Sequence, residues 1–153
     1  MDWAKSIIDE AIGGEGYALI HELSLYAWNV DGNLVPYGLD VLLLGGRLSG
    51  ALARAGWSEG RSQAGDVYLE RLCGGYVLRA WETLEGRAAC DFALYENVRW
   101  GRKTLSPRDV LDTLPLSPDY PYLVEQRAAL AMILFHGDMD DDELGLFARY
   151  VRI

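Results

Sequence analysis

Cysteine is scarce in this chain: Cys73 and Cys90 are its only two, too few and too far apart for a disulfide framework or a cysteine-rich zinc site. Reduced, buried thiols are the expectation. Histidine is equally rare, with only His21 and His136, so an imidazole-rich metal centre is excluded. No run of about 18 apolar residues is present. The opening MDWAKSIIDEAIGG carries acids where a secretory signal would carry a positive start and a continuous apolar stretch. These absences predict a soluble, cytoplasmic protein without a membrane anchor. Bases are also in deficit, 14 Lys and Arg against 23 Asp and Glu. That balance disfavours nucleic-acid binding through a broad positive surface.

What the chain has is apolar material. Half of its 153 residues are hydrophobic, including five Trp and nine Tyr, enough to build a core despite a net charge of -9. The length fits one domain spanning 1–153. Its charge is uneven. Residues 1–46 hold seven acids and one base, 47–108 hold ten bases and seven acids, and 109–153 hold nine acids and three bases. Acidic ends flank a mildly basic middle.

Periodicity and turn residues predict α+β architecture: a single compact domain with two antiparallel β-hairpins and several packed helices. In DWAKSIIDEAI, Trp3, Ile7, Ile8 and Ala11 fall near helical spacing before Gly13 and Gly14, which marks a helix over 2–12. The stretch 16–46 reads as a first hairpin turning at Asp31 and Gly32, with His21 and Glu22 on opposite faces of a strand. Residues 48–57 and 65–75 read as short helices. Residues 76–98 read as the second hairpin, turning at Glu85 and Gly86 and pointing Ala88, Cys90, Phe92 and Leu94 one way. Ser106 before Pro107 starts another helix, and 122–135 is a helix apolar on most faces.

The stretch HGDMDDDEL at 136–144 is the most conspicuous candidate site. Asp138, Asp140 and Asp142 alternate as hard-cation ligands do, yet the calcium-loop pattern fails: position six is Glu143 where glycine is needed, and position twelve is Arg149. The following Leu144, Phe147, Ala148 and Val151 form a helical stripe, so the acids suit the positive end of a helix. Their number exceeds what capping requires. Elsewhere, VLLLGGRLSGALARAG at 41–56 has glycines and Arg47 but neither a P-loop nor GxGxxG. WGRKTLSPR at 100–108 is basic without the interleaved aromatics of a single-strand binder.

The surplus acid and the failure of every catalytic motif point to a small acidic interaction module, of inhibitor or immunity type, that masks a basic surface of a partner protein. Its expected interface comprises Glu15, Asp138, Asp140, Asp141, Asp142 and Glu143, with exposed Tyr17, Tyr26 or Trp28 as anchors. No catalytic residue, cofactor or metal is assigned. The alternatives are a small enzyme entered through His21 or His136 with a carboxylate partner, and a structural subunit of a larger assembly.

Overall fold

The computed structural model describes residues 2–28, 38–48, 56–97 and 100–114. The alternation of VLLL in the middle of the chain organises them. Strand β2 (Gly38–Leu43) points Leu39, Val41 and Leu43 to one face and Leu42 to the other, and all four are buried. A strand buried on both faces must sit inside a sheet. β2 pairs antiparallel with β1 (Tyr17–Leu19) and parallel with β5 (Tyr76–Trp81).

Around this centre lie β3 (Ser58–Arg61), β4 (Val67–Cys73), β6 (Leu94–Asn97) and β7 (Arg102–Leu105), in the spatial order β3-β4-β5-β2-β1-β7-β6. The β1–β7 pair is also parallel, so the seven-stranded sheet is mixed. Helix α1 (Asp2–Ile12) lays Ala4, Ile8, Ala11 and Ile12 against the face carrying Leu39, Val41, Leu78 and Ala80. Helix α3 (Pro107–Thr113) packs Val110 and Leu111 on the opposite face with Leu42, Trp81 and Leu105. Helix α2 (His21–Ala27) follows β1 directly and is tied to β7 by the buried Ser24–Thr104 hydroxyl pair. A 3-10 turn covers Ala89–Asp91.

Two expected elements form as read. Helix α1 ends where Gly13 adopts φ 71 and its N–H donates to the Asp9 carbonyl at 2.9 Å. At α3 the Ser106 hydroxyl accepts from the Asp109 N–H at 3.2 Å, with Pro107 in the first turn.

The expected architecture of two hairpins and several packed helices is overturned by a molecule that is mostly sheet, with three α-helices among the described residues. Residues 21–27 are helix rather than strand, although β1 and β2 do pair antiparallel on either side of it. The segment read as a helix at 65–75 is β4, joined to β5 through Gly74 (φ 57) and Gly75 (φ 83). A two-residue hairpin of this hand needs positive φ at both positions, which glycine adopts without strain. The second expected hairpin is also absent: β5 lies next to β2, while β6 forms the far edge beside β7. Only its turn survives, locally, as the Leu84–Arg87 bridge around Glu85 and Gly86. Cys90 lies exposed in the 3-10 turn and Cys73 is half-buried, so neither is the enclosed thiol expected. The readings at 49–55, Asp31–Gly32 and 122–153 lie outside the described residues.

Gly60 on the edge strand makes room for a cross-strand aromatic. Its partner Tyr68 lies over it, so that a Cβ at Gly60 would stand 2.5 Å from the ring. Gly60→Ala should therefore displace Tyr68 and destabilise the fold by about 1 to 3 kcal/mol, read as a lower urea midpoint with unchanged slope.

Candidate functional site

The most unusual constellation of the described residues starts from Asp40, a carboxylate inside the apolar run of β2. Alternation along β2 sends it to the α3 side of the sheet, and parallel pairing places it beside Arg79 of β5. One turn-like step away, Ile20 is still extended (φ -132, ψ 173), whereas His21 turns left-handed at φ 48 to begin α2. Both His21 and Asp40 are buried. Nδ1 of His21 stands 3.7 Å from Oδ1 of Asp40, close enough for electrostatic attraction and too long for a direct hydrogen bond. The indole N–H of Trp81 donates to the same Oδ1 at 2.8 Å. The Trp81 ring meets the His21 imidazole edge-on, with centroids 5.6 Å apart.

The cluster opens toward solvent through Arg79, which donates to Glu70 at 2.7 Å and lies over the Tyr68 ring. Burial pushes the Asp40 carboxyl up. The adjoining His21, the Trp81 N–H and the Arg79 charge outweigh that effect and hold it below its ordinary range. Asp40 is thus an anion stabilised by three neighbours, two from β5 and one from the start of α2. A non-glycine residue in the left-handed region costs on the order of 1 to 3 kcal/mol, so the surroundings must hold His21 in place.

Two further carboxylates anchor the fold. Asp9 on α1 accepts from the Tyr17 hydroxyl at 2.6 Å, Arg102 at 3.1 Å and Lys5 at 3.0 Å, joining α1 to β1 and β7. Burial and the bond to Asp9 push the Tyr17 hydroxyl up to about 12 against the opposing effects of Arg102 and Trp100. Asp66 accepts from the backbone N–H groups of Glu85 and Gly86 and from the Thr83 hydroxyl, at 2.7, 2.8 and 2.7 Å.

For Asp9, Asp40 and Asp66 alike, burial raises the carboxyl, but hydrogen-bond partners, joined at Asp9 and Asp40 by neighbouring charge, lower it by more, so all three end below their ordinary value. A depressed folded-state pKa contributes stability that is fully present above the unfolded value, about 3.9, and is lost as pH falls through the folded value. The thermal midpoint should accordingly fall on acidification below about pH 4, and Asp66→Asn should flatten that dependence. A midpoint insensitive to acid would contradict these assignments.

The structure distributes the expected interface residues differently from one another. Tyr17 is 1% exposed and occupied by Asp9, so it offers no anchor. Trp28 is half-buried, donates to the Leu105 carbonyl at 2.8 Å and meets Tyr95 edge-on. Tyr26 is half-buried between the two core faces, and Glu15 is partly exposed. Asp138, Asp140, Asp141, Asp142 and Glu143, together with His136, lie outside the described residues. His21 and Glu22 are both buried in α2, correcting their placement on opposite faces of a strand.

Sequence reasoning missed Asp40, Trp81 and Asp66. A carboxylate interrupting GLDVLLL was the available signal for the first, because a charge within a doubly buried strand requires partners. Among the described residues no group of three or more His, Cys, Asp or Glu is placed to hold a metal ion. No described helix is long and apolar enough to cross a membrane. Comparisons with protein-family models, curated proteins and solved structures find no match to this chain.

Proposed function

We propose that this chain is an acidic protein-binding module, of inhibitor or immunity type and cytoplasmic setting, whose partner presents a basic surface. The observation that carries the reading is the excess of 23 acids over 14 bases, concentrated toward both ends of the sequence. Among the described residues Asp9, Asp40, Asp66 and Glu70 are engaged by internal donors; the proposed contact is assigned to Asp138, Asp140, Asp141, Asp142 and Glu143 on the strength of the sequence. Charge of one sign accelerates encounter with an opposite surface and falls off with salt.

The second reading is acid-base catalysis through His21, favoured by its left-handed backbone and its buried carboxylate neighbour. The same contacts also describe a structural node. A catalytic base must reach its proton at about 2.6 to 3.2 Å, and His21 is packed against Trp81 and Asp40.

Affinity capture from the native source tests the first reading. Wild type and the Asp140→Asn, Asp141→Asn, Asp142→Asn, Glu143→Gln variant are immobilised and washed at about 50 and about 300 mM salt. Wild type should retain a basic protein at the lower salt that the variant does not, with circular dichroism unchanged between the two. Retention of the same proteins by both at both salts would overturn the reading. Loss of the circular dichroism signal in the variant would assign these acids to helix stability instead.

A further inference from the structure

A groove of about 430 Å³ runs between α1 and the β4–β5 hairpin, within the range of small-molecule pockets. Ile7 and Ala11 supply an aliphatic floor from the helix. Gly74 closes one end so tightly that a Cβ there would stand 3.0 Å from Cδ1 of Ile7. Glu10 reaches the groove from α1 and Arg71 from β4. Both charges act on the half-buried Cys73 thiol: burial raises it most, Arg71 pulls it down and Glu10 adds to the rise. They flank one hollow, yet no ion pair within 4.0 Å engages either of them among the described residues.

Helix α1 is anchored to the sheet. Trp3 of α1 packs against Tyr76 of β5 with ring centroids 4.6 Å apart and tilted by 33°, and Asp9 ties the helix to Tyr17 and Arg102. Two opposite charges lining one groove beside aliphatic side chains match a molecule carrying both charges and an aliphatic body. A plain anion or cation would meet one favourable and one repulsive wall. We propose that this groove binds a small aliphatic α-amino acid, its ammonium at Glu10, its carboxylate at Arg71 and its side chain over Ile7 and Ala11. Anchoring of α1 keeps the groove formed without ligand, which lowers the ordering cost of binding.

The two cysteines provide the assay, because Cys73 lines the groove and Cys90 lies exposed elsewhere. The full chain is alkylated with iodoacetamide, with and without L-leucine, and each cysteine is followed by peptide mass spectrometry. L-Leucine at about 10 mM should slow Cys73 alkylation about threefold, as a dissociation constant of about 5 mM requires, and leave Cys90 unchanged. N-acetyl-L-leucine, lacking the cation, and L-leucinamide, lacking the carboxylate, should protect far less. Glu10→Gln and Arg71→Met, each compared with itself in the absence of ligand, should lose the protection while retaining the wild-type circular dichroism spectrum. No protection by L-leucine, equal protection by the blocked analogues, or protection persisting in both variants would overturn the proposal.

Discussion

Asp40→Ala should destabilise the fold by about 3 to 5 kcal/mol, the usual consequence of removing one member of a buried charged cluster. The loss has three sources. The Trp81 indole N–H, which donates to Asp40 at 2.8 Å, is left in the core without an acceptor. Arg79 loses the buried anion that complements it, although Glu70 still holds its guanidinium at 2.7 Å. His21 loses the neighbour 3.7 Å away that accompanies its left-handed backbone, so the start of α2 loosens against β2. Asp40→Asn should cost less, since its amide oxygen can still accept from Trp81. Urea unfolding measures both variants, and Trp81 near-ultraviolet circular dichroism reports the local change. A double-mutant cycle with His21→Asn would show coupling if the two residues act as a unit. An Asp40→Ala variant with wild-type stability would remove Asp40 from the centre of the fold.

The second large effect is expected at Asp66. Its carboxylate gathers three donors around the Glu85–Gly86 turn, and its own N–H is bound by the Ser62 hydroxyl at 3.1 Å. Glu85 is left-handed at φ 50, a conformation a glutamate adopts only under constraint. Asp66→Ala removes that constraint along with three charge-assisted hydrogen bonds. Such bonds contribute roughly 1.5 to 3 kcal/mol each but do not add, and the freed turn amides are exposed and can reach water. The expected loss is about 3 kcal/mol. Amide exchange at Glu85 and Gly86 should accelerate before the sheet opens, because the turn depends on Asp66 more directly than β5 does. Equal protection in both proteins would show that the turn is held by its Leu84–Arg87 bridge alone.

These residues show why part of the fold was legible and part was not. Helix α1 and the cap of α3 were readable because each depends on local spacing: apolar positions at helical intervals before Gly13, and Ser106 before Pro107. The segment 17–28 misleads because nearly every residue in it is buried, so apolar periodicity cannot separate a three-residue strand from the helix after it. In β4 the glycine pair ends a helix on paper and turns a hairpin in the molecule. Its register becomes visible only when Cys73 meets Tyr76 and Tyr68 meets Trp81. The parallel β2–β5 and β1–β7 pairings are long-range and leave no mark in a local window. The buried site was half legible: His21 drew attention for its chemistry, whereas Asp40 and Trp81 acquire meaning only once β2 and β5 lie side by side. The acidic run stood out by composition alone, and composition carries its functional reading.

The most direct test of the acidic-surface account is the association rate of the captured partner, measured for wild type and for the Asp140→Asn, Asp141→Asn, Asp142→Asn, Glu143→Gln variant across salt from about 20 to about 500 mM. The account predicts an on-rate lower by about tenfold in the variant at the low end, with the two proteins converging as screening increases. Identical on-rates at every salt concentration would contradict it.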